Sequence, residues 1–137
     1  MISTRGRYGL RVMLDLARRG GEGAVPLKDV AERQGISKKY LEILMRDLVR
    51  GGLVTGVSGK NGGYRLTRAP EDITVWEVLR LLEGSMATVA CLAPGAPPCP
   101  RESACPTLPL WAEYDRMTKA FFEGRRLSEL LRTPGGE

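Results

Sequence analysis

The spacing of hydrophobic residues predicts an amphipathic helix in the middle of the chain. Four apolar side chains recur at i, i+3, i+4 and i+7, the repeat of one buried helical stripe; they are Leu41, Leu44, Met45 and Leu48. Ser37 stands where a helix N-cap is expected, and Gly51-Gly52 ends the pattern. The segment therefore predicts a helix whose other face stays free.

The flanking segments extend this helix into a larger pattern. A first helix is expected from Ser3 or Thr4 to about Arg19, with an inner face of Tyr8, Val12, Leu16 and Met13. Pro26 leads into a second helix, which Gly35 ends in a turn that needs left-handed backbone. Residues 53–55 and 64–66 predict a hairpin whose loop contains Asn61-Gly62-Gly63.

The second half of the chain has a different pattern. The segment Thr74-Val75-Trp76-Glu77 predicts a capping box and a short helix through Glu83, which buries Val78, Leu81 and Leu82. Residues 84–109 hold all three cysteines among several prolines, so this segment is neither a helix nor a central strand. A long helix is predicted from about Leu108 to Gly124, and residues 127–131 can add one turn.

These elements predict a mainly α fold with a small β-hairpin wing. Residues 1–83 form a winged helix-turn-helix domain, an arrangement that usually binds duplex DNA, residues 84–109 a cysteine-containing sensor loop, and residues 110–137 a long C-terminal helix and tail. The apolar side of that helix predicts a homodimer interface, with a ligand pocket as the alternative; its residues are Trp111, Tyr114, Met117, Phe121 and Phe122.

The charge distribution supports a DNA partner. Residues 1–68 carry 14 lysines and arginines against 6 aspartates and glutamates, whereas residues 69–137 carry 7 against 10. The positive charge therefore coincides with the helix-turn-helix pattern. The chain has no histidine, which excludes the common Ser–His and Cys–His catalytic pairs and favours a protein that is not an enzyme. No apolar run is long enough to span a membrane, and a cytoplasmic location is expected.

The DNA-binding residues are predicted on two surfaces. Lysines at the start of a helix oppose its dipole, which is reasonable if DNA lies in front of them. The candidates on the helices are Arg5, Arg7, Lys28, Ser37, Lys38, Lys39, Tyr40 and Glu42. Those on the wing are Ser58, Gly59, Lys60, Asn61, Gly62, Gly63 and Arg65. The alternative for any of these charges is a solvated surface, and Tyr64 is expected to pack beneath the wing.

The three cysteines, Cys91, Cys99 and Cys105, are candidate metal or redox residues. An odd number of cysteines in a cytosolic protein argues against a disulfide framework. An Fe–S cluster, a zinc site and free thiols all remain open, and Cys99 with Cys105 could form a reversible disulfide.

Several motifs together resemble the BadM/Rrf-type family of bacterial transcriptional regulators, which includes iron–sulfur-cluster and nitric-oxide-responsive members. They are Gly6-Arg7-Tyr8-Gly9, Met13-Leu14-Asp15-Leu16-Ala17, Leu27-Lys28-Asp29-Val30-Ala31, Ile36-Ser37, Tyr40-Leu41-Glu42, Gly52-Leu53-Val54, Gly62-Gly63-Tyr64-Arg65-Leu66 and Thr74-Val75-Trp76-Glu77-Val78. The resemblance covers nearly the whole chain. It implies a homodimer that binds operator DNA and holds a [2Fe–2S] or [4Fe–4S] cluster on the three cysteines, a cluster that purification can remove.

The chain departs from the family pattern at the fourth cluster ligand. One branch of the family uses a histidine after the third cysteine, where this chain has Pro106-Thr107-Leu108. Another branch uses a carboxylate near the partner's N-terminus, and residues 4–8 contain none. The remaining carboxylate candidates are Glu102, Glu83, Glu113 and Asp15, and the fourth ligand stays unknown.

The sequence therefore predicts a DNA-binding transcriptional regulator that senses Fe–S cluster, redox or nitric oxide status. The alternative is a cluster-free repressor controlled by a metabolite, thiol oxidation or a partner protein. A third hypothesis, a small redox or Fe–S carrier protein, leaves the helix-turn-helix without a purpose.

Overall fold

The computed structural model describes residues 2–101 and 103–133. Its helices are α1 (Thr4–Arg18), α2 (Leu27–Gln34), α3 (Lys38–Arg50), α4 (Val75–Glu83), α5 (Leu108–Glu123) and α6 (Leu127–Leu131). Strands β1 (Val54–Val57) and β2 (Gly63–Leu66) lie between α3 and α4, and short 3-10 turns occur at Gly20–Glu22, Pro70–Asp72 and Ala90–Leu92. The predicted fold class, mainly helical with a two-stranded hairpin and a long C-terminal helix, is confirmed.

Local sequence signals place the ends of the helices. The Ser37 hydroxyl accepts a hydrogen bond from the backbone N–H of Tyr40 at 3.2 Å and so caps α3. Thr74 and Glu77 form the predicted capping box at the start of α4. Gly35 ends α2 with a φ of 64°, the left-handed conformation that the turn required.

The hairpin is longer than the sequence suggested. Strands β1 and β2 pair antiparallel from Val54↔Leu66 to Val57↔Gly63, which leaves residues 58–62 as the loop. The sequence predicts Gly63 in the loop, but Gly63 lies in strand β2, so this prediction was wrong. Val25 adds a further bridge, because it exchanges two backbone hydrogen bonds with Tyr64 at 2.8 and 2.9 Å. The start of α2 is thus attached to the wing.

The core is formed by α1, α2, α3, β1 and α4, by residues of the connecting segments such as Ile73, and by one residue from α6. Its buried side chains include Val12, Met13, Leu16, Val30, Leu41, Leu44, Met45, Leu48, Val54, Ile73, Val78, Leu82 and Leu127. The prediction for α4 was wrong in one position. Leu79 is buried and Leu81 is only half-buried. The buried residues of α4 lie at i, i+3, i+4 and i+7 counted from Val75. Leu79 occupies the i+4 position of this series, and Leu81 is not part of it.

A buried carboxylate joins α1 to α2. Asp15 is 2% exposed and accepts hydrogen bonds from Nε and Nη2 of Arg33 at 3.0 and 2.8 Å and from Nε2 of Gln34 at 2.9 Å. Burial alone raises the pKa of Asp15, but the hydrogen bonds from Arg33 and Gln34 outweigh it, so the pKa is lowered. Asp15 is therefore a charged group whose partners stabilise the ionised form.

The chain after α5 returns to the helix-turn-helix core. The carbonyl of Arg125 accepts a hydrogen bond from the N–H of Val75 at 2.9 Å, and the N–H of Leu127 donates to the carbonyl of Ile73 at 3.0 Å. Leu127 is fully buried. The predicted final turn exists as α6, and its first residue completes the core. Among the described residues, no helix is long and apolar enough to cross a membrane.

Candidate DNA-binding surface and cysteine loop

Helix α3 presents a charged stripe on the side opposite its buried residues. The exposed positions of α3 are Lys38, Lys39, Glu42, Arg46, Val49 and Arg50. With 3.6 residues per turn, these positions share one side of the helix, and the buried leucines and Met45 occupy the other. Four of the six exposed side chains are basic and one is acidic, so this stripe is suited to a polyanionic partner.

Two of these residues, Arg46 and Arg50, were absent from the sequence prediction. Arg46 lies one turn after Glu42, and Arg50 one further turn along. The same periodicity that found the buried stripe could have found both. Asp47, the acidic residue between them in sequence, forms an ion pair with Arg5 of α1. The carboxylate of Asp47 is therefore already engaged by α1.

Several predicted DNA contacts have a structural role in the fold. The Ser37 hydroxyl caps α3, and Tyr40 is half-buried with its ring edge-on to Tyr8 at a centroid distance of 6.0 Å. Arg5 forms an ion pair with Asp47.

Two further predicted DNA contacts are exposed. Arg7 donates a hydrogen bond to the Thr4 hydroxyl at 3.2 Å, and Lys28 lies on the surface of α2.

The wing displays its polar residues to solvent. Ser58, Gly59, Lys60 and Asn61 are exposed in the loop, and Arg65 is exposed on β2. Tyr64 is half-buried and packs against the core, as predicted.

Two wing glycines are required by the protein's own backbone. A Cβ at Gly62 would collide with the carbonyls of Val57 and Gly59, and a Cβ at Gly63 would collide with the carbonyl of Val25. Gly63 also has a φ of 151°. The tight packing of this hairpin on itself and on Val25 therefore explains these glycines before any DNA contact is considered.

The three cysteines line one cavity of about 240 Å³. Leu92, Ala96, Pro97, Pro98 and Leu108 complete its wall. Cys91 is exposed, whereas Cys99 and Cys105 are half-buried. The Cys105 sulfur lies 3.4 Å from the Thr107 hydroxyl at the start of α5. Hydrogen bonds from the Thr107 side chain and from the backbone of Thr107 and Leu108 lower the pKa of the Cys105 thiol.

The three cysteines provide the type of ligand that an Fe–S cluster needs, but a cluster is usually held by four such ligands. Thiolates are the usual cluster ligands, and three of them line one cavity. Among the described residues, however, no three Cys, Asp or Glu side chains are gathered closely enough to hold a metal ion.

The carboxylate candidates for a fourth ligand are largely engaged elsewhere. Asp15 is held by Arg33 and Gln34, and Oε1 of Glu83 accepts hydrogen bonds from the backbone N–H of Ser3 at 3.0 Å and its hydroxyl at 2.8 Å. Glu113 is exposed on α5. Glu102 lies outside the described residues.

Helix α5 exposes an apolar face. Tyr114, Met117 and Phe121 are 55%, 64% and 55% exposed, and Trp111 and Phe122 are half-buried. Leu110, 57% exposed, continues this face one turn towards the start of the helix and was not in the predicted set. Phe121 and Phe122 contact each other edge-on, with centroids 5.3 Å apart. Such a contiguous face is typical of an interaction surface.

The comparison with protein families identifies the chain. The family profile described as "Rrf2: Iron-dependent Transcriptional regulator" matches residues 2–133. The chain belongs to the Rrf2 family. The resemblance inferred from the sequence motifs is confirmed.

Relatives of this Rrf2-family chain are similar along almost their whole length. The protein rrf2 of Nitratidesulfovibrio vulgaris is 42% identical over 131 residues, which cover 96% of this chain and 87% of that protein. The solved structure of T. potens IscR is 37% identical with a TM-score of 0.78, and covers 96% of this chain and 86% of that one. The structure of CymR, described as the global cysteine regulator of B. subtilis, is 37% identical with a TM-score of 0.76. The match covers 96% of this chain and 95% of that one.

The Rrf2 family defines the general function. Relatives of the chain, among them IscR of Aliivibrio salmonicida and CymR of Bacillus subtilis, are named as HTH-type transcriptional regulators and not as enzymes. This Rrf2-family protein is accordingly a DNA-binding transcriptional regulator, and the prediction that it is not an enzyme is confirmed.

Proposed function

We propose that this protein is a homodimeric regulator that binds a specific operator through α3 and the wing, and that its three cysteines sense Fe–S cluster, redox or nitric oxide status. The observation that carries the DNA-binding part is the exposed basic stripe of α3, which lies opposite the buried stripe of the same helix. A helix fixed to its domain by one face can insert the other into the major groove.

Within this arrangement the charged residues divide into two groups. Lys38, Lys39 and Glu42 lie at the start of α3, the part of a recognition helix that commonly reaches base edges. Glu42 can accept a hydrogen bond from a cytosine amino group. Lys60 and Arg65, both exposed on the wing, would contact phosphates, which adds affinity without sequence preference.

The apolar face of α5 supports the homodimer. A second copy of the same helix can cover Tyr114, Met117 and Phe121, because an isologous interface pairs the same surface on both subunits. Two DNA-binding units related by a two-fold axis would then match a palindromic operator.

The cysteine loop supplies the sensory element. Cys91, Cys99 and Cys105 would hold a cluster, and a bound cluster would supply an iron site at which oxygen or nitric oxide can react. The hydrogen bond from Thr107 favours the thiolate of Cys105, which is the form that binds iron and the form that is oxidised.

A cluster-free regulator is the second candidate, and one observation favours it. No described set of three donors is gathered for a metal, although the three thiols share a cavity. Two thiols could then form a disulfide, losing two electrons and two protons to hydrogen peroxide, which becomes two water molecules. The relative described as a global cysteine regulator fits thiol-based control, and a metabolite or partner protein is the other source of control.

The DNA-binding proposal is tested with duplexes selected by the protein from a random pool. We expect Lys39→Ala to relax the preference at one base pair. Lys60→Ala should weaken binding to all duplexes similarly and lower the salt slope by about one. Fluorescence anisotropy at several salt concentrations measures both effects, and Lys119→Ala, on α5, is the control. Wild-type protein that selects no sequence, or a Lys60→Ala variant that changes only one base preference, would contradict the assignment.

The two sensory candidates are separated by purifying the protein without oxygen from iron-supplied cells. If a cluster is present, the wild type is coloured and contains iron and acid-labile sulfide, and Cys99→Ala loses the colour because one ligand is missing. Visible absorption and elemental assays measure this. A colourless wild type without either element would leave thiol oxidation or a ligand as the signal.

A further inference from the structure

The beginning of the cysteine loop is attached to helix α5 by one carboxylate. Oδ1 of Asp115 accepts a hydrogen bond from the backbone N–H of Thr88 at 3.0 Å and another from the Thr88 hydroxyl. Thr88 lies just before Cys91 in sequence, and Asp115 is half-buried about two turns into α5. These two hydrogen bonds connect this end of the loop to α5.

The end of the loop is joined to the same helix. Thr107 is the residue before the first turn of α5, and its hydroxyl is 3.4 Å from the Cys105 sulfur. The loop is therefore fastened to α5 on both sides of its cysteines. A rearrangement of the three sulfurs, whether by loss of a cluster or by formation of a disulfide, would reach α5 through these two contacts.

The opposite end of α5 is anchored on the helix-turn-helix domain. The backbone of Arg125 and Leu127 pairs with Val75 and Ile73, and the Leu127 side chain is fully buried. Because this end is held, a displacement at Asp115 would tilt α5 about its C-terminal anchor. The apolar face of α5 would tilt with the helix.

We propose that Asp115 is the positioning residue that transmits the state of the three cysteines to helix α5, and through α5 to DNA affinity. This inference rests on the proposed function, since it requires cysteines that sense and a dimer that binds an operator. A signal changes affinity only if some contact differs between the two states of the protein. The Thr88–Asp115 contact connects the cysteine loop, whose state changes, to α5, whose position must change in response.

The experiment compares the dissociation constant of the full-length protein for its selected duplex before and after exposure to hydrogen peroxide. Peroxide changes the state of the cysteines whether they hold a cluster or are free. We expect the wild-type constant to change about tenfold, within the usual range of allosteric coupling. Asp115→Ala should reduce this ratio to within about twofold of one. Asp115→Asn should keep it, because the amide oxygen can accept the same two hydrogen bonds.

Two controls make the result specific. Glu113→Ala removes an exposed carboxylate from the same helix and should leave the wild-type ratio. Thiol alkylation should show the same loss of free cysteine in Asp115→Ala as in wild type, which separates lost transmission from lost sensing. If Asp115→Ala does not fold, Thr88→Val takes its place, because it removes the hydroxyl alone, and a reduced ratio is expected.

The outcomes distinguish the inference from the function on which it rests. Asp115→Ala with a wild-type ratio and equal cysteine oxidation would overturn the role of Asp115 and leave the sensor intact. Equal loss in Asp115→Ala and Glu113→Ala would also overturn it, since the effect would not depend on the Thr88 contact. A wild type whose affinity does not change with peroxide would contradict redox sensing by the three cysteines and this inference with it.

Discussion

Helices α3 and α5 are similar in length, at 13 and 16 residues, but they use their apolar side chains differently. Helix α3 buries Leu41, Leu44, Met45 and Leu48 almost completely within its own chain. In the described part of the chain, α5 has no buried residue, and three of its largest apolar side chains are more than half exposed.

The monomer buries the apolar face of α3 within its own core but leaves the apolar face of α5 exposed to solvent. The stripe of α3 contributes to folding, and its remaining face is charged and available for DNA. The apolar face of α5 is not covered within the monomer, although burying it would be favourable by roughly 25 cal/mol for each Å² removed from water. A surface of this kind is explained by a partner, and we infer a second copy of the chain.

The largest expected effect tests whether α5 differs from α3 in this way. Met117→Glu places a charge in the centre of the exposed apolar face, and burying that charge without a partner is costly. We expect the dimer dissociation constant to rise about 100-fold, which corresponds to about 2.7 kcal/mol. Sedimentation equilibrium measures the constant, and urea unfolding of the monomer should be almost unchanged.

The matched control for this variant lies on the other side of α5. Lys119→Glu introduces the same charge at an exposed position whose ammonium group lies 5.9 Å from the centre of the Trp76 ring. It should leave the dimer constant within a few-fold of wild type. Equal effects of the two substitutions would mean that the apolar face is not the interface.

A smaller effect is expected from the ion pair inside the helix-turn-helix unit. Asp15→Ala removes the acceptor of three hydrogen bonds from Arg33 and Gln34, and we expect a loss of about 2 kcal/mol in unfolding free energy near neutral pH. The folded pKa of Asp15 is lowered, so its contribution is present above the unfolded pKa of about 4 and is lost as the pH falls through the folded value.

Urea denaturation of both proteins across pH 2 to 7 checks this prediction. The difference between wild type and Asp15→Ala should shrink as the pH falls below about 4, because the carboxyl of the unfolded chain then binds a proton that the folded chain, with its lowered pKa, does not yet bind. A difference that stays constant down to pH 2 would mean that the charge of Asp15 contributes nothing and that only packing is lost.

The elements of the helix-turn-helix unit were predictable because their signals are local. The helical repeat found α3, Ser37 and Thr74 marked two N-caps, and Gly35 marked a turn that needs positive φ. Errors arose where the signal was ambiguous. Leu79, Leu81 and Leu82 are all apolar, so composition did not reveal which of them face the core, and counting from Val75 does.

The remaining features depend on contacts between distant parts of the chain. Three contacts join residues that are far apart in sequence: the Asp15–Arg33 pair, the Val25–Tyr64 bridge and the Thr88–Asp115 contact. No local sequence pattern predicts them. The burial of Leu127 is a further case, since the sequence showed only a short final turn. The cysteines could be recognised as a group, but their arrangement around one cavity depends on the path of a proline-rich loop.

The position of Leu127 has a consequence for how the protein is made. Leu127 fills part of the core of the N-terminal domain but is synthesised after the cysteine loop and α5, so the nascent domain has one unfilled position in its core until residue 127 emerges. Native packing of the DNA-binding unit is then completed only after the cysteine loop and α5 have been synthesised. The regulator would complete its N-terminal core and its cysteine loop at nearly the same moment, and nascent chains halted within the loop would lack the Leu127 side chain in that core.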